Sequence, residues 1–219
     1  MSNGLAILTN LVVAKAEDFA EARELLTGGG NFLPRIQLMG KNSGPVEEGK
    51  VEAGNFVIVN DSEVVDLTSE FDCIPLCVRP KAMRIEDSGI QVTWDRNGEL
   101  FKDIQALAAV KVTRIGNLYG LEFLIWVPNQ GFATYFAGNP TARRAAGSLV
   151  GLTEKRAATC FKSNLIERGI FRWYGPSHTG AATIITDMPT QEQAQERVNR
   201  YMDQTDDAPV EAAEGSDRD

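Results

Sequence analysis

The feature that most constrains this chain is a stretch over residues 32–137 in which short apolar segments alternate with turn residues. Segments rich in β-branched and aromatic side chains, bounded by Gly, Pro, Asn or Asp, are typical of strands. Such segments lie at residues 33–38, 56–59, 64–67, 73–84, 91–94, 122–127 and 132–136. Residues 104–110 fit either a short helix or an extended crossing. The pattern predicts a β-rich body.

Turn chemistry predicts how some of these strands are connected. Residues 60–63 (NDSE) and 128–131 (PNQG) separate two pairs of apolar segments, and both contain residues that favour turns. We therefore expect two hairpins. Pro75 and Pro80 interrupt the segment 73–84. Because proline cannot donate to a sheet ladder, that strand should lie at an edge or contain a bulge.

The remainder of the chain has mixed character. Residues 16–26 show helical periodicity, and Asn139 followed by Pro140 is a typical helix start. We expect helices at residues 140–150, 153–168 and 190–202, and strands at 171–174 and 182–186. Helices packed on one side of antiparallel strands give an α+β fold, either a small barrel of the OB kind or a plain sheet. The predicted parts are an N-terminal appendage (1–30), one core domain (31–202) and a disordered acidic tail (203–219).

Charge is unevenly distributed along the chain. The net charge is −8. Residues 203–219 contain seven acidic residues and one arginine, a net of −6, whereas residues 141–174 contain seven bases and two acids, a net of +5. A flexible acidic tail could compete with an anionic ligand for a basic surface, and that competition would weaken as salt is added. A plain solubility tail is the alternative.

The basic side chains and the aromatic rings between them suggest contact with a nucleic acid. Arg143 and Arg144 fall in the first turn of a predicted helix, where a bound phosphate would offset the unfavourable helix dipole. Aromatic rings next to basic side chains can stack on unpaired nucleotides, although packing in the core explains most of the aromatic residues. The predicted nucleic-acid-binding residues are Arg79, Lys81, Arg84, Arg143, Arg144, Lys155, Arg156, Lys162, Arg172, Trp173, Tyr135 and Trp94.

The sequence supports an enzyme less well than it supports a binding protein. The three cysteines (Cys73, Cys77 and Cys160) and the single histidine, His178, are too few for a typical zinc site. The sequence has no G-x-S-x-G elbow and no glycine-rich nucleotide loop. Asp61, Glu63 and Asp66 are the acids that a metal-dependent nuclease would use. We therefore expect a binding protein that is not an enzyme and that has no cofactor and no metal.

Several stretches resemble bacteriophage-encoded proteins of replication and recombination modules. They are LPRIQLMG (33–40), GNFVIV (54–59), RPKAM (79–83) and EFLIWVPNQGFATYFAGNPTARRAA (122–146). The whole plan is similar to phage single-stranded DNA-binding proteins, although the tail lacks a terminal aromatic. The resemblance implies sequence-independent binding of single-stranded DNA in the host cytoplasm.

The expected partners follow from the same reading. They are single-stranded DNA, replication or recombination proteins that contact the tail, and a second copy of the chain in a homo-oligomer. No membrane partner is expected, because no apolar run of about 20 residues is present. The first residues also lack the basic segment of a secretory signal. A structural or assembly protein of a virion is the alternative from another class.

Overall fold

The computed structural model describes residues 33–60, 63–86, 89–111, 113–114 and 116–203. The predicted helix at 16–26, the N-terminal appendage and residues 204–219 of the tail lie outside the described residues. Within them the strands are β1 (Arg35–Leu38), β2 (Phe56–Asn60), β3 (Glu63–Thr68), β4 (Glu70–Glu86), β5 (Gly89–Thr93), β6 (Asn117–Val127), β7 (Gly131–Ala137), β8 (Thr159–Arg168) and β9 (Phe171–Gly180). The helices are α1 (Gly44–Glu47), α2 (Glu99–Ala109), α3 (Pro140–Glu154) and α4 (Gln191–Met202).

The strands form one large sheet in the order β3-β2-β1-β7-β6-β4-β8-β9, with β5 paired to β4. Every pair is antiparallel except β1 with β7. The predicted α+β class with an antiparallel, β-rich body is therefore confirmed, as are the β2–β3 and β6–β7 hairpins. The sheet remains open: among the described strands, β3 and β9 are not paired with each other, so the OB-like barrel is not formed.

Strand β4 is the longest strand, and the prolines shape its pairing. It pairs with β6 along most of its length, with a register shift between Pro75 and Cys77. On its other side β8 pairs with residues 70–73 and β5 with residues 82–86. Pro75 and Pro80 thus occupy a segment with a ladder on one side only, and the predicted bulge is present. The bulge also places the Cys73 and Cys77 side chains on opposite faces, although residues four apart in a regular strand share a face.

The two faces of the sheet are covered by different helices. On the α3 face, Phe123, Ile125 and Tyr135 pack with Ala146 and Leu149 of α3 in the main hydrophobic core. Helix α2 packs on the same face, where Ile104 contacts Ala82. The alternate side chains, among them Glu122, Trp126 and Phe132, form the α4 face. The packing of helices on one side therefore holds for α2 and α3, while α4 contacts the opposite face.

Helices α3 and α4 begin close to the positions predicted from the sequence, and a side chain caps each of them. The Asn139 side chain accepts a hydrogen bond from the Ala142 amide at 2.8 Å, and Pro140 opens α3 as predicted. Thr190 and Gln193 form a capping box that begins α4. Residues 104–110 belong mostly to α2, which settles the ambiguity there. None of the helices in the described part of the chain is long and apolar enough to cross a membrane.

Two predicted elements are wrong. Residues 159–168, expected to be helical, form strand β8, and residues 182–186, expected to be a strand, have no regular structure. Gly169 follows the predicted helix and fits a helix end, but it has φ +62° in the loop between β8 and β9, the left-handed value that a tight hairpin loop requires. Strand β9 also continues through residues 175–180, beyond the predicted strand at 171–174. Pairing with β4 and β9 therefore outweighs the helical propensity of β8.

Candidate nucleic-acid interface

Three of the predicted binding residues lie together on the α4 face, around a buried carboxylate. Oε2 of Glu122 accepts hydrogen bonds from Arg79 Nε at 3.1 Å, Arg79 Nη2 at 3.0 Å and Trp94 Nε1 at 3.1 Å. It also accepts one from the Tyr201 hydroxyl at 3.0 Å, and Lys81 Nζ donates to Oε1. We call Arg79, Lys81, Trp94, Glu122 and Tyr201 the Glu122 cluster. Its geometry is that of a satisfied internal network.

The electrostatics of the Glu122 cluster support a structural role. Burial disfavours the charged form of Glu122, but the charges and hydrogen bonds of Lys81 and Arg79 outweigh it and lower the pKa of Glu122. The Arg79 guanidinium also lies 3.8 Å from the Tyr201 ring centroid and 4.2 Å from that of Trp94. Arg79 is only 5% exposed. Arg79 and Lys81 thus have a buried partner for their charge, so the structure corrects the expectation that they form an open basic surface.

Arg143 and Tyr135 are also engaged inside the fold. Arg143 Nη1 donates to the Tyr119 carbonyl at 2.9 Å and to the Gly138 carbonyl at 2.6 Å, and its guanidinium lies 4.1 Å from the Tyr119 ring centroid. Its donors therefore tie α3 to the first residues of β6 and to the residue after β7, whereas a paired phosphate site with the exposed Arg144 was expected. Tyr135 is 4% exposed and packs against Phe123, Phe161 and His178, so its ring cannot stack on a base.

The other predicted basic residues have no buried carboxylate partner among the residues that the structure describes. Arg84 is half-buried and lies 3.9 Å from Glu86, while Arg144, Lys155 and Arg156 are exposed on or just after α3. Lys162 pairs with Glu70 at 3.0 Å, and Arg172 pairs with Glu167 at 2.9 Å. All four side chains of these last two pairs are more than half exposed. Exposed pairs contribute at most about 1 kcal/mol, so a phosphate could displace either carboxylate.

A cleft of ≈ 400 Å³ brings Arg172 and Trp173 together with residues from two other parts of the chain. It lies between β9, the segment that follows β1, and the start of α3. Its lining residues are Leu38, Met39, Gly40, Lys41, Asn42, Asn139, Arg172, Trp173 and Tyr174. We call this the β9 cleft. It contains two cationic side chains, two aromatic rings and two side-chain amides.

Local backbone contacts hold the walls of the β9 cleft. Gly54 N donates to the Met39 carbonyl at 2.8 Å, and Gly40 N donates to Ser43 Oγ at 2.9 Å, which fixes the segment after β1. Gly54 has φ +97°, and a Cβ there would lie 2.6 Å from Cε1 of Tyr174. The ring of Tyr174 therefore rests against a position that has to be glycine. Asn139, another lining residue, is held by its capping bond to α3.

The chemistry of the β9 cleft suits an anionic ligand with planar groups. Lys41 and Arg172 supply positive charge, and the 37% exposed ring of Trp173 offers a face for stacking. Asn42 and Asn139 supply amide donors and acceptors. Sequence reasoning identified Arg172 and Trp173 but missed Lys41 and Asn42. Their only local signal is a Lys-Asn pair after Gly40, and pairing of distant segments is what brings them to β9.

A metal centre is not supported by the described residues. No group of three or more His, Cys, Asp and Glu side chains that could hold a metal occurs among them. Asp61 lies outside the described residues, and Asp66 accepts hydrogen bonds from Asn55 Nδ2 and from the Thr68 amide. His178, the other candidate for chemistry, is buried beneath α3, with Nδ1 3.2 Å from the Ala145 carbonyl. Comparison with protein-family models, curated proteins and solved structures gives no match to this chain.

Proposed function

We propose that this protein binds single-stranded DNA independently of sequence, and that the β9 cleft is the main contact. The observation that carries the proposal is the convergence of Lys41, Arg172, Trp173 and Tyr174 on one open cleft. Phosphates would lie against the two cations, and an unpaired base would stack on Trp173. Base stacking on an aromatic ring contributes about 1–3 kcal/mol and tolerates every base.

Basic side chains near the β9 cleft extend the positively charged surface beyond it. Arg168 lies opposite Phe171 at the end of the β8–β9 hairpin, and Lys162 lies further along β8. Both are exposed, as is Lys41. A DNA single strand that leaves the cleft along the β8–β9 hairpin would therefore meet further positive charge. Non-specific binding of this kind is governed by the phosphates and weakens steeply as salt is added.

The setting that we propose follows the resemblance to phage proteins. The protein would act in the host cytoplasm, in phage DNA replication or recombination, without catalysing a reaction. Its acidic tail would occupy basic residues of the binding surface when DNA is absent, and it could also contact replication or recombination proteins. A virion assembly protein, the alternative class, would form large particles without nucleic acid, which sedimentation velocity measures directly.

The proposal is tested with labelled oligo-dT and fluorescence anisotropy over a series of salt concentrations. We expect Trp173→Ala to weaken binding by about five- to 100-fold, since one stacked base is lost. Arg172→Gln should reduce the slope of log affinity against log salt by about one, as expected for the loss of a phosphate contact. The wild-type chain should also show quenching of tryptophan fluorescence, which Trp173→Phe should largely remove.

The control for Arg172 is Arg200→Gln on α4. Arg200 is 60% exposed at its side chain and pairs with Glu196, while Arg172 is 63% exposed and pairs with Glu167. The two substitutions change charge and exposed ion pairs in the same way, but only one lies at the β9 cleft. If Arg172→Gln, Trp173→Ala and the wild-type chain bind oligo-dT equally well, the cleft is not the binding site.

A further inference from the structure

The loop between β8 and β9 exposes large apolar side chains to solvent. Ile170 is 91% exposed and Phe171 is 68% exposed, and Gly169 forms the tight turn beside them. Successive residues of a strand point to opposite faces, yet Glu167 and Arg168 in β8 and the first residues of β9 are all exposed. This end of the hairpin is therefore uncovered on both faces by the described residues. We call Ile170 and Phe171 the hairpin tip.

The hairpin tip is continuous with the β9 cleft. Phe171 directly precedes Arg172, Trp173 and Tyr174, which line the cleft. Across the hairpin Phe171 is paired with Arg168, so a basic side chain lies on each side of the tip along the two strands. An anionic polymer that passes from the cleft beyond Arg172 would thus reach two apolar side chains placed between two arginines.

We propose that the hairpin tip is a wedge that packs against the last base pair where a single strand held in the β9 cleft joins a duplex. This inference rests on the proposed function. The arginines would contact phosphates on either side of the junction, and Ile170 and Phe171 would cover the exposed face of the terminal base pair. Apolar side chains of this kind are used by proteins that insert between or against stacked bases. The protein would then prefer single-strand–duplex junctions to single strands alone.

The test compares the full-length chain with its Ile170→Ser/Phe171→Ser variant on three DNA probes. The probes are a single strand, a blunt duplex, and a duplex that continues into the same single strand, made with either overhang polarity. We expect the wild-type chain to bind one junction about tenfold more tightly than the single strand, in line with the contribution of one aromatic ring against a base. The variant should bind the single strand as the wild-type chain does and lose the preference for the junction.

Ile184→Ser is the matched control. Ile184 is 91% exposed, as Ile170 is, but it is not part of the β9 cleft or the hairpin. This variant should keep the junction preference, and thermal unfolding should show that all three chains are folded. A chain that binds the single strand with no junction preference would overturn the wedge and leave the proposed function standing. A chain that binds none of the probes would overturn both.

Three further results would also reject the wedge. An equal loss of single-strand and junction binding in the double variant would make the tip a general contact. Binding of the wild-type chain to vesicles of anionic phospholipid, lost in the double variant while junction binding is unchanged, would assign the tip to a membrane surface. Retention of the junction preference by the double variant would show that other residues produce it.

Discussion

The hydroxyl of Tyr201 donates a 3.0 Å hydrogen bond to Oε2 of Glu122, and this contact joins the last turn of α4 to the middle of the sheet. Tyr201 is the one buried residue of α4, whose other side chains are largely polar. Arg79 strengthens the same connection, because its Nη1 donates to the Tyr201 carbonyl at 2.5 Å. The attachment of the C-terminal helix therefore depends on a buried charged network more than on apolar packing.

Replacing Tyr201 by phenylalanine should loosen this attachment. The ring is kept, but Glu122 loses one donor, so we expect the free energy of unfolding to fall by about 1–2 kcal/mol. Urea unfolding measures the change, and amide hydrogen exchange in α4 should rise more than exchange in β6. Arg200→Gln, in the exposed ion pair with Glu196 on the same helix, should change stability by less than about 0.5 kcal/mol. Equal effects of the two substitutions would contradict this role of Tyr201.

Replacing Glu122 by glutamine should be more damaging. Arg79 and Lys81 would keep their burial and lose the compensating charge, which typically destabilises a protein by about 3–5 kcal/mol. The matched substitution is Glu70→Gln, which removes the exposed partner of Lys162 and should change stability far less, because solvent screens that pair. Because the pKa of Glu122 is lowered on folding, its contribution is complete above the unfolded pKa and is lost as pH falls through the folded one. The stability difference between wild-type and Glu122→Gln chains should therefore shrink in acid.

The Glu122 cluster also shows which part of the structure could be read from the sequence. Strands, hairpins and helix starts depend on near neighbours, so the β6–β7 turn, the cap at Asn139 and the helix at 190–202 were predicted. The partners of Glu122 depend on the register between β4 and β6, and the bulge at Pro75 shifts that register. A bulge changes which face a side chain occupies, and the two prolines of β4 indicated an edge or a bulge without fixing its position. The basic residues of β4 were therefore predicted to bind DNA, although the structure pairs two of them internally.

The β9 cleft could not be predicted from the sequence for a related reason. Residues 153–168 have helical propensity, and Gly169 fits a helix end as well as a hairpin loop. Once β8 is taken as a helix, nothing places β9 beside the segment after β1. Arg172 and Trp173 could still be chosen, because a basic residue next to an aromatic one is a feature of the local sequence. Lys41 could not, because its place in the cleft depends on long-range pairing.

Gly54→Ala should disturb the β9 cleft by displacing the ring of Tyr174, which lines it. The residue has φ +97°, and the added methyl group would press on the ring of Tyr174. Gly49→Ala is the control, since Gly49 also has a positive φ, +71°, and a Cβ there meets no atom within 4 Å. We expect about 1–2 kcal/mol of destabilisation from backbone strain in the control. Gly54→Ala should lose more than that and should also weaken oligo-dT binding, whereas Gly49→Ala should bind normally.

His178 should make the protein sensitive to mild acid. Burial lowers the pKa of His178 to about 4, although its hydrogen bond with the Ala145 carbonyl acts in the opposite direction. The neutral form is therefore favoured in the folded state, and its contribution is complete above the usual value of 6.5 and lost as pH falls towards 4. Loss of this contribution should destabilise the fold by on the order of a few kcal/mol.

The chain has a single histidine, so its ring proton signals in the NMR spectrum report on His178 alone. They should show no titration between pH 7 and pH 5 while the protein is folded. In His178→Gln, which has no charge to gain, the loss of stability between pH 6.5 and pH 4 should be smaller than in the wild-type chain. A folded-state titration near pH 6.5 would contradict the buried neutral ring.

Removing the acidic tail should tighten binding to single-stranded DNA, but only at low salt. Truncation after Asp203 keeps the end of α4 and removes six acidic residues and one arginine, a net charge of −5. If the tail competes with DNA for the basic residues, the truncated chain should bind oligo-dT more tightly at 50 mM salt. The gain should vanish near 300 mM, about where screening shortens the reach of electrostatic interactions to a few ångströms.

Two altered tails serve as controls. A tail of the same composition in scrambled order should restore wild-type affinity, because the competition depends on charge and not on sequence. A tail with Asn and Gln in place of its acids should behave like the truncation. Identical affinities for all four chains at low salt would show that the tail does not occupy the DNA-binding surface.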